Sequence, residues 1–343
     1  MTVWPTVSVI IPCRNEATYI QGVLDRVLEQ DYPTDKLDVM VADGQSTDGT
    51  RQILDDYARE NPSIRIVENP HRVVPHALNR CIKNSQSEII IRLDAHAEYP
   101  RDYISKLVGA LLDFNADNVG GSIRTMPANK SLQARAVAVT FAHLFGVGNA
   151  NYKHQPKEVK SVDTVPFGCF PRKLFEKIGF FDEELVRNQD DEFNARIIQS
   201  GGKILILPDV QITYYARPTL IKMGRMFYQF GLFKPLVNRK LKHPASIRQF
   251  IPMLFVLGVF SGVAWAFTSP LIFEFWVIAI ALYGAINILL SLLAAIKNGS
   301  ILLTPFLVVG FVITHFSYGI GYLKGIWDYT IFERSGTEKS VNR

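Results

Sequence analysis

Glu88-Ile89-Ile90-Ile91-Arg92-Leu93-Asp94-Ala95-His96 is the stretch that decides the fold. A block of Ile and Leu with no turn residue reads as a strand buried on both faces. Residues i and i+2 of an extended chain point to the same side. Asp94 and His96 are therefore expected to face one pocket, at the carboxyl end of a central strand. Open α/β sheets bind their ligands at that end. An Asp and a His two apart suit a metal ion; they also suit a solvated strand-to-loop turn. The stretch alone leaves both readings open.

Upstream, strands and helices alternate. Residues 7–11 read as a first strand, ending at Pro12-Cys13-Arg14-Asn15-Glu16, and 19–30 have helical apolar spacing. A second strand at 38–42 ends in the turn Asp43-Gly44-Gln45-Ser46-Thr47-Asp48-Gly49-Thr50, rich in Gly and small polar groups. A helix through Ile53, Leu54 and Tyr57, a short strand at 64–67 and a helix at 75–84 lead to the strand that ends at Leu93. This alternation predicts an α/β fold with a doubly wound, parallel sheet.

Downstream, helices are predicted over 102–115, 132–147 and 172–178, and strands over 119–124 and 203–208. Residues 162–170 read as a strand or a loop with a Gly hinge. Asn188-Gln189-Asp190-Asp191-Glu192 opens a helix, where the helix dipole favours acidic side chains.

The chain has 343 residues, 48% of them hydrophobic, and a net charge of +5. The basic excess lies between Arg217 and Arg248, so it is not a general nucleic-acid signature. Cys13, Cys81 and Cys169 form no CxxC pair and read as reduced cytosolic thiols. Met1-Thr2-Val3-Trp4-Pro5 has no basic n-region or apolar h-region, so no signal peptide is expected.

From 217 to 248, Lys and Arg heads alternate with Met, Phe and Tyr bodies, as in helices lying at a membrane surface. Three apolar stretches follow, at 250–268, 271–296 and 301–322. Each reaches the roughly 20 residues a bilayer span needs. The expected organisation is a catalytic domain at 1–216, a basic interfacial segment at 217–248, about three transmembrane helices within 249–324, and a polar tail at 325–343.

Pro12-x-x-Asn15-Glu16, the Asp43–Thr50 turn, Asn69-Pro70-His71-Arg72, Ala77-Leu78-Asn79, Asp94-x-His96, Gly179-Phe180-Phe181-Asp182-Glu183 and Gln189-Asp190 before Arg196 occur in this order. Single motifs are weak, but the ordered set resembles the inverting family 2 glycosyltransferases over about residues 7–215. Within that family it is most similar to the ExoA-type transferases of succinoglycan and exopolysaccharide assembly.

The resemblance implies a GT-A fold, a mixed doubly wound sheet, followed by interfacial and membrane helices. It implies transfer of a single sugar from a nucleotide sugar, a UDP-sugar, to a polyprenyl-linked saccharide acceptor at the inner (cytoplasmic) membrane, with the catalytic domain in the cytosol. Asp94 and His96 match the family's Asp-x-Asp position, which holds Mn²⁺ or Mg²⁺; His stands where a second Asp is usual. Asp43 matches the position that contacts the uracil ring, and Pro12, Arg14 and Glu16 match the first nucleotide-binding loop. Arg72 sits where a cation reaches the nucleotide.

Asp190 matches the base that deprotonates the acceptor hydroxyl, with Asp191 and Glu192 as competitors. For Asp43–Thr50 an Asx turn is the structural alternative. Processive synthases of the family carry Gln-x-x-Arg-Trp; Gln229-Phe230-Gly231-Leu232-Phe233 keeps only the Gln. A processive synthase is therefore the second reading, and a non-catalytic membrane scaffold that binds nucleotide sugar the third.

Overall fold

The computed structural model describes residues 4–148, 152, 155–244, 247–265 and 267–336. The chain divides into two compact units. The first gathers residues 1–124 and 151–214; the second gathers 125–150 and 215–340.

In chain order the elements are β1 (Val7–Cys13), α1 (Ile20–Leu28), β2 (Leu37–Asp43), α2 (Thr50–Glu60), β3 (Ile64–Glu68), α3 (Val74–Asn84), β4 (Ile89–Arg92), β5 (Ala97–Glu98), α4 (Tyr103–Asp113) and β6 (Asn118–Met126). They continue with α5 (Leu132–Ala142), α6 (Leu144–Val147), β7 (Lys160–Ser161), β8 (Cys169–Pro171), α7 (Lys173–Ile178), α8 (Gln189–Gln199) and β9 (Ile204–Tyr215). The last are α9 (Leu220–Leu241), α10 (Ile251–Trp265), α11 (Pro270–Lys297) and α12 (Thr304–Gly325), with a π-helical turn at Ile326–Ile331.

The first unit is built on a nine-stranded sheet, counted among the described residues, in the order β3-β2-β1-β4-β8-β6-β9-β5, with β7 also on β9. The strands β3, β2, β1 and β4 are parallel, as the alternation predicts. β8 runs antiparallel to β4 and β6, and β5 and β7 antiparallel to β9, so the whole sheet is mixed. The alternating strands bury side chains on both faces. Val7, Val9, Ile11, Ile89 and Ile91 pack with α1 and α4, while Ile10, Ile90, Met40 and Ala42 pack with α3, α7 and α8. Each fully buried Ile contributes about 2–3 kcal/mol, which fixes the register of β4 and with it the position of everything beyond Arg92.

In the second unit α9 and α12 meet through glycine. A Cβ on Gly231 would collide with the Tyr318 carbonyl, one on Gly321 with that of Tyr228, and one on Gly325 with that of Leu232. Small residues bring helix backbones together in this way in membrane proteins. Residues 125–150, which the sequence reading places in the domain at 1–216, group with these helices. The reason is apolar packing: Ala136, with Val139 and Phe145, joins Ala294, Ala295, Leu303, Leu307 and Phe311. The helix predicted over 132–147 is broken at His143, whose Nδ1 accepts the Phe145 N–H and starts α6 afresh.

Two helical stretches, Pro270–Lys297 and Ile301–Ile331, are long and apolar enough to cross a bilayer. The stretch at 250–268 gives the 15-residue α10, about 22 Å long. A 3-10 turn at Ile247–Phe250 precedes it, and the Phe267 and Thr268 N–H groups close a turn on Ala264 and Trp265. The basic segment at 217–248 is mostly one helix, α9, with Lys222, Arg225 and Arg239 exposed. Of the expected tail, 326–331 are helical and 337–343, with Lys339 and Arg343, lie outside the described residues.

Candidate active site

The carboxyl ends of β1, β2 and β4 form one edge, because Cys13 pairs with Asp43 and Ile10 with Arg92. The loops after β1 and β2 are zipped together there. The Asn15 N–H donates to Ser46 Oγ (2.9 Å), the Thr47 N–H to Asn15 Oδ1 (2.8 Å), the Glu16 N–H to Thr50 Oγ1 (2.9 Å) and the Ala17 N–H to Asp48 Oδ2 (3.1 Å). Asn15 and Gln45 adopt left-handed backbone, at φ 54° and 57°, a conformation that Asn tolerates well.

The residues assigned to nucleotide binding lie in or beside this floor. Pro12 is buried within β1, opposite Ala42. The stem of Arg14 lies on Gly44, where a Cβ would come within 3.0 Å of Arg14 Cβ, and Arg14 Nε is buried with no protein partner. Asp43 is buried; its Oδ1 accepts from Ser46 Oγ (2.6 Å) and N (3.2 Å), and Oδ2 faces the Arg51 guanidinium at 3.7 Å. The Asx turn is thus present. Arg72 is exposed and donates Nε–H to Gln45 Oε1 (2.7 Å), which ties it to the loop after β2.

β4 ends at Arg92, one residue earlier than predicted, and Asp94-Ala95-His96 form the turn into β5. Burial alternates as expected: Leu93, Ala95 and Ala97 are buried, Asp94 and His96 half-buried. The Asp94 N–H donates to Tyr99 Oη (2.7 Å), which pins the turn. His96 Nδ1 lies 3.6 Å from Glu16 Oε1, and the ring meets Tyr214 edge-on.

Asp190 stands in the first turn of α8. Arg92 brings it to Asp94. The Nε and Nη2 of Arg92 both donate to Asp94 Oδ1, at 3.3 and 2.9 Å, while Nη1 donates to Asp190 Oδ1. Burial alone would lower the Arg92 pKa, but Asp190 and Asp94 overcome it and hold the guanidinium charged. The Asp190 carboxyl is pushed above its ordinary range, chiefly by desolvation. Arg92 opposes the rise, and Asp94 and Asp191 add to it by repulsion.

The competitor Glu192 is occupied. Its two carboxylate oxygens take Arg196 Nε (2.6 Å) and Nη2 (2.9 Å), and Arg196 also clamps the Ile178 and Phe180 carbonyls. Glu183 is likewise structural: it meets Asn79 and His76. Arg92 is the residue the sequence reading missed. Its signal was a charge inside an Ile-Leu strand, since Arg is almost never fully buried unless paired.

A divalent ion fits this edge in one way. Asp94 and His96 offer one carboxylate and one imidazole, and among the described residues no group of three or more His, Cys, Asp or Glu is arranged to hold a metal by itself. The remaining ligands would have to come from substrate phosphate and water, as is usual for Mg²⁺ at phosphate sites.

Residues 8–179 match the sequence model of Glycosyl transferase family 2. The chain belongs to that family. It is similar to the succinoglycan biosynthesis protein ExoA of Rhizobium meliloti, at 31% identity over 71% of this chain and 74% of the relative. It is also similar to a Methanococcus voltae dolichyl N-acetyl-alpha-D-glucosaminyl phosphate 3-beta-D-2,3-diacetamido-2,3-dideoxy-beta-D-glucuronosyltransferase, at 28% identity over 68% of this chain and 74% of the relative. The fold matches that of a Pyrobaculum calidifontis mannosyltransferase solved with GDP-Man and Mn²⁺. That pair has a TM-score of 0.58, 24% identity, and coverage of 95% of this chain and 88% of the other. Family 2 membership and the mixed sheet agree with the GT-A expectation.

Proposed function

We propose that this family 2 glycosyltransferase moves a single sugar from a nucleotide sugar, a UDP-sugar, to a polyprenyl-linked saccharide in exopolysaccharide or related glycan assembly, with inversion. The observation that carries the reading is the Arg92 bridge. It sets Asp190, 98 residues away in sequence, beside the strand end that carries Asp94. The acceptor hydroxyl attacks the anomeric carbon from the face opposite the diphosphate. Asp190 takes its proton, the new C–O bond forms, and the old bond to the diphosphate oxygen breaks. The floor formed by Arg14, Glu16 and Asp43 orients the nucleotide, and Arg72 lies at its rim. Asp94 and His96 would hold a divalent ion, which supplies Lewis-acid stabilisation of the leaving diphosphate.

The two long apolar helices support a membrane anchor at the cytoplasmic membrane with the first unit in the cytosol, and the basic residues of α9 fit the lipid surface. The name of the Methanococcus relative describes a dolichyl-phosphate-linked sugar, which supports a lipid-linked acceptor here. The test uses the full chain in detergent with UDP-hexoses, UDP-N-acetylhexosamines, GDP-mannose and polyprenyl-linked acceptors, read by mass spectrometry. One added sugar is expected. A ladder of products would favour a processive synthase, and donor binding without transfer would favour a scaffold.

A further inference from the structure

The Asp190 side chain has a single hydrogen-bond or ion-pair partner among the described residues, and that partner is Arg92. Only Asp190 Oδ1 is used, and the side chain is 38% exposed where that of Arg92 is 5% exposed. A carboxylate held by one oxygen and open at the other is set to receive a proton from outside. A purely structural acid looks different, as Glu192 shows: it is nearly buried and gives both oxygens to Arg196.

Arg92, which holds Asp190, is itself held at both backbone and side chain. Its backbone N–H donates to the Gly168 carbonyl at 3.0 Å, and its plane lies over the Phe167 ring at 5.9 Å. Nε and Nη2 grip a single oxygen of Asp94, which leaves Nη1 aimed at α8. A guanidinium is a rigid planar fork, so fixing one edge fixes the direction of the other donors. Asn188 precedes α8 in left-handed backbone, at φ 61°.

We propose that Arg92 is a positioning residue: anchored on Asp94, it aims Asp190 at the acceptor. The inference rests on Asp190 as the base. Its consequence is that the donor end and the acceptor end of the site share one rigid link, so a shift at Asp94 is felt as a change of aim at Asp190.

The test is a double-variant cycle in the full-length protein in detergent, with kcat measured at saturating donor and metal and UDP affinity measured separately. Arg92→Met keeps bulk and removes the fork. Misplacing a reacting group by about 1 Å costs on the order of 10²-fold, so a loss of that order in kcat is expected. Adding Arg92→Met to Asp190→Asn should then change kcat by no more than about twofold, because the second change acts through a group already lost. Arg92→Lys, which keeps the buried charge, enters the same cycle where the Met variant fails to fold, and should recover part of the loss. Full additivity of the two losses, or wild-type kcat in a folded Arg92 variant, overturns the positioning role. Normal turnover in Asp190→Asn overturns the base assignment itself, and the inference falls with it.

Discussion

Asp190→Asn is the sharpest perturbation this site allows. The amide matches the carboxylate in size and can still accept the Arg92 bond through its oxygen. It loses the negative charge and the ability to take a proton. Removing one partner of a fully buried ion pair costs about 3–5 kcal/mol. Here Asp94 still pairs with Arg92, and Asp190 is 38% exposed. The stability loss should therefore be smaller, roughly 1–2 kcal/mol. The catalytic loss should be far larger, on the order of 10²–10⁴-fold in kcat, as for a general base. Donor affinity should hold, because Arg14, Glu16 and Asp43 stand at or just beyond the ends of β1 and β2. Calorimetric titration with UDP, steady-state transfer to a lipid-linked acceptor and thermal unfolding read the three quantities separately. Near-normal turnover in a folded variant would show that another carboxylate does the work, with Asp191 the first to examine.

The pH profile should carry the same signature. A base works in its deprotonated form, and the Asp190 pKa is raised by desolvation, so activity should fall as pH drops through a limb above the ordinary carboxylate range. A limb at the usual value would contradict this. The metal can be probed at His96. Imidazole suits the softer end of the divalent series and an all-oxygen site suits Mg²⁺. Wild type should therefore favour Mn²⁺, and His96→Asp should move the activity ratio toward Mg²⁺; an unchanged ratio sinks direct ligation by His96. Ending the chain after Ala216 removes the helices against which Val137, Val139 and Phe145 pack. The truncated protein should bind UDP but aggregate without detergent, as size-exclusion chromatography would reveal; a monodisperse monomer in buffer would refute this.

The parallel half of the sheet was legible because its strands are apolar runs of four to seven residues between helices of clear period. In the antiparallel half only the long strands β6 and β9 were legible. β5 and β7 have two residues each and β8 has three, too few for any alternation to register. Asp190 could be placed by its motif and its helix start, but its meeting with Asp94 depends on a third residue, Arg92, that no spacing links to Asp190. Likewise the apolar pattern of 132–147 shows that a face must be covered and says nothing of what covers it. The apolar stretch at 250–268 ends in a turn that hydropathy does not register. Phe267 and Thr268 belong to the turn, and Ser269 caps the next helix by accepting the Ile272 N–H.

The grouping of residues 125–150 with the distant helices sets a problem of timing during synthesis. The Phe145 carbonyl is bonded to His315, 170 residues later in the chain. At translation rates of about 5–20 residues per second, that partner emerges from the ribosome roughly 10–30 s after Phe145 does. Throughout that interval α5 and α6 present their apolar faces without the helices that will cover them, in the middle of a first unit whose strands on either side are already available to pair. The nascent chain must keep this insert apart from the sheet until α12 arrives. A lipid surface or a chaperone held close to the exit site is the natural shelter, and any substitution that slows the arrival of α12 lengthens the exposure of a segment it never touches in sequence.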